Sequence, residues 1–251
     1  MNPSPILKAL SSIRKSGART LLMGGQACVF YGAAEFSRDL DLLILADADN
    51  LARLASALEE LAAHPIAVPP FEARHLLHGH AVHFRCTRED VAGLRIDIMT
   101  KLRGVAEFED LWERRTTIEV EGEPLNLLAI EDLVQAKKTQ RDKDWPMIQR
   151  LIEQSYFRQP AEPSASTIDF WLRELRSPEL LLEAAAAHAG RAHALADQRP
   201  ALEAAVRGDM EQVRDLLDAE EREERRKDRE YWAPLKKELE QLRLGREKAS
   251  S

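Results

Sequence analysis

Residues 37–45 read SRDLDLLIL, a segment in which two aspartates precede a run of apolar residues. Side chains alternate between the two faces of a β-strand, so Asp39 and Asp41 are expected on the same face. The apolar run that follows indicates a buried strand. Two carboxylates beside buried strand residues repel each other and are costly to desolvate, and a divalent cation removes that conflict. The pair therefore predicts a Mg²⁺ site, because Mg²⁺ prefers carboxylate oxygens and substrate phosphates.

A glycine pair precedes this strand. Residues 20–23 form a short apolar run that predicts a buried strand, and the run stops at Gly24-Gly25, where a helical pattern begins. Without Cβ atoms the backbone can turn sharply and approach a ligand closely. The first N–H groups of the following helix would then point at a phosphate. The alternative is a plain turn, which is the commonest use of two glycines.

A third carboxylate lies further along the chain. Asp97 stands between Ile96 and Ile98 in an alternating segment, residues 94–99, that predicts another strand. If this strand lies beside the strand of Asp39 and Asp41, three carboxylates converge. Such a set can hold two metals that clamp the attacking oxygen and the leaving pyrophosphate. Taken alone, an Asp-x-Asp pair is also common as a turn former, so the ordered combination carries the prediction.

The order Gly24-Gly25, Ser37, Asp39-Leu40-Asp41 and a distant Asp97 resembles the nucleotidyltransferase signature of the DNA polymerase beta superfamily. The resemblance covers about residues 20–155 and is nearest to small bacterial members, including minimal nucleotidyltransferases and abortive-infection nucleotidyltransferase toxins. It implies an α+β fold in which a mixed sheet is flanked by helices. The chain departs from the pattern at Glu35, near which many relatives carry a basic residue.

The resemblance also implies an activity and its residues. The activity is Mg²⁺-dependent transfer of a nucleoside monophosphate from a nucleoside triphosphate to a hydroxyl of a small molecule, an RNA end or a protein. Asp39, Asp41 and Asp97 would form the two-metal catalytic site, with Asp97 helping to activate the acceptor hydroxyl. The triphosphate would be held by six residues: Gly24, Gly25, Ser37, Lys137, Lys138 and Arg141.

The last three of these residues belong to a segment, residues 130–144, whose pattern predicts one helix. At helical spacing Lys137, Arg141 and Asp144 share a face, where the cations would offset the charge of a triphosphate. The alternative is a solvated charged helix. In that interpretation Asp144 caps the next helix, whose first turn holds Pro146.

Composition limits the class of protein. The chain has 251 residues, 44% of them hydrophobic, which indicates a globular fold. Its formal net charge of -7 argues against broad nonspecific binding of nucleic acid, which needs a basic surface. Cys28 and Cys86 form no CxxC pair, and the four histidines at 75, 78, 80 and 83 match no zinc-binding spacing. No apolar run is long enough to span a membrane, so a cytoplasmic protein is expected.

The C-terminal part of the chain has a different composition. A Pro/Ser/Ala-rich stretch, residues 159–166, predicts a linker between a nucleotidyltransferase-like domain, residues 1–158, and a helical region, residues 164–251. The mixed-charge run at residues 217–230 indicates a solvent-exposed helix. These helices could cover the acceptor cleft, form a homodimer or bind a protein partner. The acidic balance, Glu35 and this charged tail favour an alternative hypothesis, a non-catalytic component of a toxin–antitoxin or other protein-binding system.

Overall fold

The computed structural model describes residues 4–158 and 162–249 of the chain. In that part of the chain it has seven strands: β1 (Thr20–Met23), β2 (Asp39–Ile44), β3 (Ala63–Pro65), β4 (Val82–Cys86), β5 (Arg95–Met99), β6 (Thr116–Val120) and β7 (Glu123–Leu127). Its α-helices are α1 (Pro5–Lys15), α2 (Gly24–Phe30), α3 (Ala48–Glu60), α4 (Ala73–His78), α5 (Phe108–Glu113), α6 (Ile130–Ala136), α7 (Trp145–Phe157), α8 (Ala165–Glu174), α9 (Pro178–Ala187), α10 (Ala189–Leu195), α11 (Pro200–Val206) and α12 (Met210–Ala249). Short 3-10 turns lie at Glu89–Val91 and Asp142–Asp144.

The strands form one mixed sheet in the order β3-β4-β5-β2-β1-β7-β6. Strand β2 lies at its centre, antiparallel to β1 and parallel to β5. The apolar residues that predict the central strands are buried, with Leu40, Leu42 and Ile98 fully inaccessible to solvent. The predicted α+β fold is therefore confirmed: a mixed sheet flanked by helices, followed by a mostly helical C-terminal region.

Local chemistry sets the ends of the elements. Helix α3 begins at Ala48 because Asp47 caps it, accepting a hydrogen bond of 2.7 Å from the Asn50 backbone N–H. Two residues, Glu121 and Gly122, form the turn between the antiparallel strands β6 and β7. Both have positive φ, +53° and +79°, as a two-residue turn between twisted strands requires.

The chain divides into two compact units. The first contains Met1–Phe30, Ala34–Ala136 and Tyr231–Ser251, and it holds the whole sheet. The second contains Tyr31–Ala33 and Lys137–Glu230 and is helical. The predicted domain boundary between residues 158 and 164 stays a prediction; of its linker, residues 159–161 lie outside the described residues, and Ser164 caps α8.

The mixed-charge run lies within α12 and forms ion pairs along the helix. Arg226 contacts both Glu223 and Glu230, one turn away on either side, as the charge spacing predicts. Over the described residues, no helix combines the length and the apolar character needed to cross a membrane.

Candidate active site

The three predicted aspartates lie on adjacent strands. Strands β2 and β5 are parallel neighbours, and their register places Asp41 opposite Asp97 and Asp39 opposite Arg95. Residues opposite each other in register project to the same face, as do residues two apart on one strand. The three carboxylates therefore share one face of the sheet, as the sequence predicts, while Leu40 and Leu42 point into the core on the other face.

The glycine pair lies directly against this face. Met23 is opposite Asp41 in the antiparallel β1–β2 pairing, so β1 delivers Gly24 and Gly25 to the aspartates. A Cβ on Gly24 would lie 1.9 Å from Asp41 Oδ2, and the φ of Gly24 is +67°. The Gly25 N–H donates a long hydrogen bond of 3.4 Å to the same oxygen. Only glycine allows this approach, so the pair is more than a generic turn.

Ser37 supports the same corner of the site. Its Oγ donates a hydrogen bond of 3.2 Å to the backbone oxygen of Asp39. It also lies 2.7 Å from the position that a Cβ on Gly25 would take, so the serine and the glycine turn are in close contact. The structure thus brings together five of the predicted site residues: Gly24, Gly25, Ser37, Asp39 and Asp41. The predicted contact of Ser37 with a nucleotide stays a prediction.

Asp97 is held by two side chains that the sequence analysis did not assign. His83 Nδ1 lies 2.8 Å from Asp97 Oδ1, and Arg95 Nε donates to the same oxygen at 2.7 Å. Burial alone would raise the pKa of Asp97, but the hydrogen bonds and charges of His83 and Arg95 outweigh it and lower the pKa. The signal for Arg95 is in the sequence, because a residue two before Asp97 on a strand shares its face. The position of His83 depends on the pairing of β4 with β5, which the sequence does not reveal.

Arg95 also faces the other two carboxylates. Its pKa is raised chiefly by the hydrogen bond to Asp97, with further contributions from the charges of Asp39 and Asp41. One guanidinium therefore balances part of the negative charge that the three aspartates bring to one face. Asp39 and Asp41 remain partly exposed, so solvent and ligands can reach them.

The three predicted triphosphate-binding cations belong to the helical unit. The prediction of a single helix through residues 130–144 is wrong, because α6 ends at Ala136 and the chain continues as a loop and a 3-10 turn. Lys137 Nζ is 3.5 Å from Asp144 Oδ1 and is buried, whereas Lys138 pairs with Glu174 at 2.8 Å. Arg141 Nε donates to Asp144 Oδ2 at 2.7 Å. Each cation therefore already has a carboxylate partner, and its role in nucleotide binding stays a prediction.

Asp144 is the common partner in this loop. It stands at the N-cap position of α7, as predicted, but its side chain makes no capping hydrogen bond, so the capping prediction is wrong. The carboxylate instead accepts a hydrogen bond of 2.6 Å from the Thr139 hydroxyl and pairs with the two cations. A buried carboxylate without partners is costly, whereas the N–H groups at an uncapped helix end can be solvated by water. The side chain of Asp144 therefore pairs with the cations instead of capping the helix.

No family model matches the chain, and no curated protein matches it. Among solved structures, an antigenic nucleotidyltransferase-like protein from Paracoccidioides brasiliensis is 18% identical with a TM-score of 0.39, over 80% of this chain and 90% of that one. A proposed nucleotidyltransferase from H. pylori is 16% identical with a TM-score of 0.39, over 90% of this chain and 94% of that one. Likeness at this level establishes neither an activity nor a site in this chain.

Proposed function

We propose that the chain is a Mg²⁺-dependent nucleotidyltransferase that moves a nucleoside monophosphate from a nucleoside triphosphate to a hydroxyl acceptor. The observation that carries the proposal is the register of two parallel strands, which sets Asp41 opposite Asp97, with Asp39 two residues away on the same face. The glycine turn that approaches Asp41 supports it, since this backbone leaves room where any side chain would collide with the carboxylate.

The donors on this face fit the metal. Mg²⁺ takes oxygen ligands, usually one or two carboxylates together with substrate phosphates, and all three aspartates supply carboxylate oxygens. Asp39 and Asp41 are partly exposed, so they would hold the ion with the triphosphate. Bound there, Mg²⁺ would supply charge stabilisation for the phosphoryl group and the leaving pyrophosphate.

The environment of Asp97 suggests how it contributes. A carboxylate with a lowered pKa is a weak base, so Asp97 is poorly suited to keep the proton of the acceptor hydroxyl. Held by His83 and Arg95, it is suited instead to orient the hydroxyl and to complete the set of oxygen ligands. Positioning of this kind can account for a large part of the acceleration of phosphoryl transfer.

The remaining predicted residues have more peripheral parts in the proposal. Gly24, Gly25 and Ser37 shape the corner in which the triphosphate would approach Asp41. Lys137, Lys138 and Arg141 are each paired with a carboxylate of their own unit, and their part in holding the triphosphate stays a prediction. The proposal leaves the preferred base of the nucleotide unspecified. The acceptor hydroxyl belongs to a small molecule, an RNA end or a protein.

Calorimetric titration tests the nucleotide site. Each of the four ribonucleoside triphosphates is titrated with Mg²⁺ into the wild type, the Asp39→Asn/Asp41→Asn variant and the control Asp49→Asn, an exposed aspartate in the first turn of α3. We expect micromolar to sub-millimolar binding of at least one nucleotide to the wild type and the control, and none to the double variant. Equal binding to the double variant, with its fold verified by thermal unfolding, would exclude this site.

A non-catalytic binding protein is the second candidate. The observation in its favour is that Lys137, Lys138 and Arg141 are all paired with carboxylates of their own unit, and that Glu35 is exposed in the loop before β2. On this alternative the chain is a component of a toxin–antitoxin or similar system. It predicts a stable 1:1 complex with a partner protein and no pyrophosphate release, whereas the enzyme releases pyrophosphate when its acceptor is supplied.

A further inference from the structure

Two histidines at the end of α4 face the same carboxylate. Helix α4 ends at His78, and Gly79 follows with a φ of +108°, a conformation that reverses the chain direction. The His80 N–H then donates a hydrogen bond of 3.0 Å to the His75 backbone oxygen, which fixes the turn. This turn brings the rings of His78 and His80 together, with centroids 5.5 Å apart.

The carboxylate comes from the far end of the sequence. Glu238 lies in the part of α12 that follows Glu230, and this part belongs to the same compact unit as α4. Its Oε2 is 2.9 Å from His78 Nε2 and 3.0 Å from His80 Nε2. Nearby, Leu235 packs against Gly79, at 3.5 Å from the position that a Cβ there would take. Three potential ligand atoms thus converge within 4.8 Å of one another.

The structure assigns a Zn²⁺ site to His78, His80 and Glu238, separate from the aspartates of β2 and β5 and independent of the proposed function. Two imidazole nitrogens and one carboxylate oxygen form a common ligand set for zinc, whereas Mg²⁺ favours oxygen ligands. Bonds of about 2.0–2.1 Å in a tetrahedron place ligand atoms roughly 3.3 Å apart, so the two nitrogen-to-oxygen separations, 2.9 Å and 3.0 Å, need to open by only a few tenths of an ångström.

Burial and exposure divide the site into a fixed part and an open part. The side chain of His80 is 2% exposed, whereas those of His78 and Glu238 are 59% and 40% exposed. The buried ring is held in place before any metal arrives, and the two outer ligands leave a path to solvent and space for a water as fourth ligand. Within the described part of the chain, His80 Nδ1 has no hydrogen-bond partner, so the contact at Nε2 anchors this ring.

Charge also favours a cation here. Glu238 presents its carboxylate to both imidazole rings, at 2.9 Å from His78 Nε2 and 3.0 Å from His80 Nε2. Neutral imidazoles and an ionised carboxylate are the forms that bind a metal. A bound zinc would join residues about 160 positions apart in sequence and fix the end of α12 onto the turn after α4.

Zinc titration tests the site. The aspartates of β2 could also take up zinc, so the titration uses the Asp39→Asn/Asp41→Asn protein, stripped with a chelator and dialysed, as the background for every variant. We expect one equivalent of ZnCl2 to bind and to raise the temperature of unfolding. Co²⁺ in the same site should give visible d–d absorption bands with the intensity of a low-symmetry, four- or five-coordinate site.

The variants avoid the buried ring, since His80→Ala is at risk of misfolding. In the same background, His78→Ala and Glu238→Gln should weaken zinc binding by about 100-fold and remove the intense Co²⁺ bands. The matched controls are His64→Ala, an exposed histidine on β3, and Glu240→Gln, an exposed glutamate two residues further along α12; both should bind as the background does. Absence of binding to the background protein, or equal affinity in all four variants, would overturn the assignment and leave only hydrogen bonds between these side chains.

Discussion

At Gly24 the backbone and the proposed site constrain each other. The residue combines a φ of +67° with a missing Cβ that would otherwise lie 1.9 Å from Asp41 Oδ2. A side chain here would therefore strain the backbone and also displace a carboxylate of the site. The two effects can be separated, because Gly122 has a similar φ of +79° and open space around it.

We expect Gly24→Ala to lower the free energy of unfolding by about 3 kcal/mol and to abolish Mg²⁺-nucleotide binding, whereas Gly122→Ala should cost only about 1 kcal/mol and leave binding unchanged. Urea unfolding and calorimetric titration measure the two quantities. Equal losses of stability in the two variants would show that the left-handed backbone, and not the contact with Asp41, determines the need for glycine at position 24.

Single residues also show how much of the candidate site could be predicted from the sequence. The shared face of Asp39 and Asp41 follows from strand alternation alone, and so it was predictable. That Asp97 faces them required β5 to lie beside β2, which the sequence supported through the family resemblance and the structure supplies. The contacts of His83 and Arg95 with Asp97 were missed, because they depend on side chains meeting across β4 and β5.

At the level of elements, the helical periodicity of the sequence gives a wrong prediction for the loop between α6 and α7. Residues 130–144 have a helical pattern, but the helix stops at Ala136. The loop that follows encloses Asp144, which binds Lys137, the Thr139 hydroxyl and Arg141. Tertiary contacts to a buried carboxylate therefore override a local helical preference, which amounts to only a few tenths of a kcal/mol per residue.

The same loop should make stability depend on pH. Burial alone would raise the pKa of Asp144, but the charge of Lys137, the Thr139 hydrogen bond and Arg141 outweigh it and lower the pKa. A carboxyl group with a lowered folded-state pKa stabilises the protein above its unfolded pKa, about 3.9 for aspartate, and this contribution is lost as the pH falls through the folded-state value.

Accordingly, Asp144→Asn should lower the free energy of unfolding by about 3 kcal/mol at pH 7, because it leaves the buried Lys137 ammonium without its carboxylate. The deficit relative to wild type should shrink as the pH falls below 4. Asp142→Asn is the matched control: its side chain is 96% exposed, and its loss should cost less than about 1 kcal/mol. Urea unfolding between pH 3 and pH 7 gives both values, and a pH-independent deficit in Asp144→Asn would contradict this account.

At the scale of the whole molecule, the fold class that the family resemblance implies is confirmed, whereas the predicted division into two domains stays a prediction. The predicted helical region and its mixed-charge run are both present in the structure, although Asp228 within the run is buried. The return of Tyr231–Ser251 to the sheet-containing unit was not predictable, because it depends on contacts between residues more than 150 positions apart, such as those of His80 and Glu238. Such contacts leave no periodic signal in the sequence.

In the proposed function, Asp39, Asp41 and Asp97 hold the metal that organises a nucleoside triphosphate. Diffraction from crystals grown with Mn²⁺, as a heavier substitute for Mg²⁺, and a non-hydrolysable analogue of the nucleotide selected by titration tests it most directly. We expect an anomalous peak about 2.1 Å from carboxylate oxygens of Asp39 and Asp41, with the triphosphate beside Gly24-Gly25. A bound nucleotide whose metal lies elsewhere, with no anomalous signal at these aspartates, would contradict it.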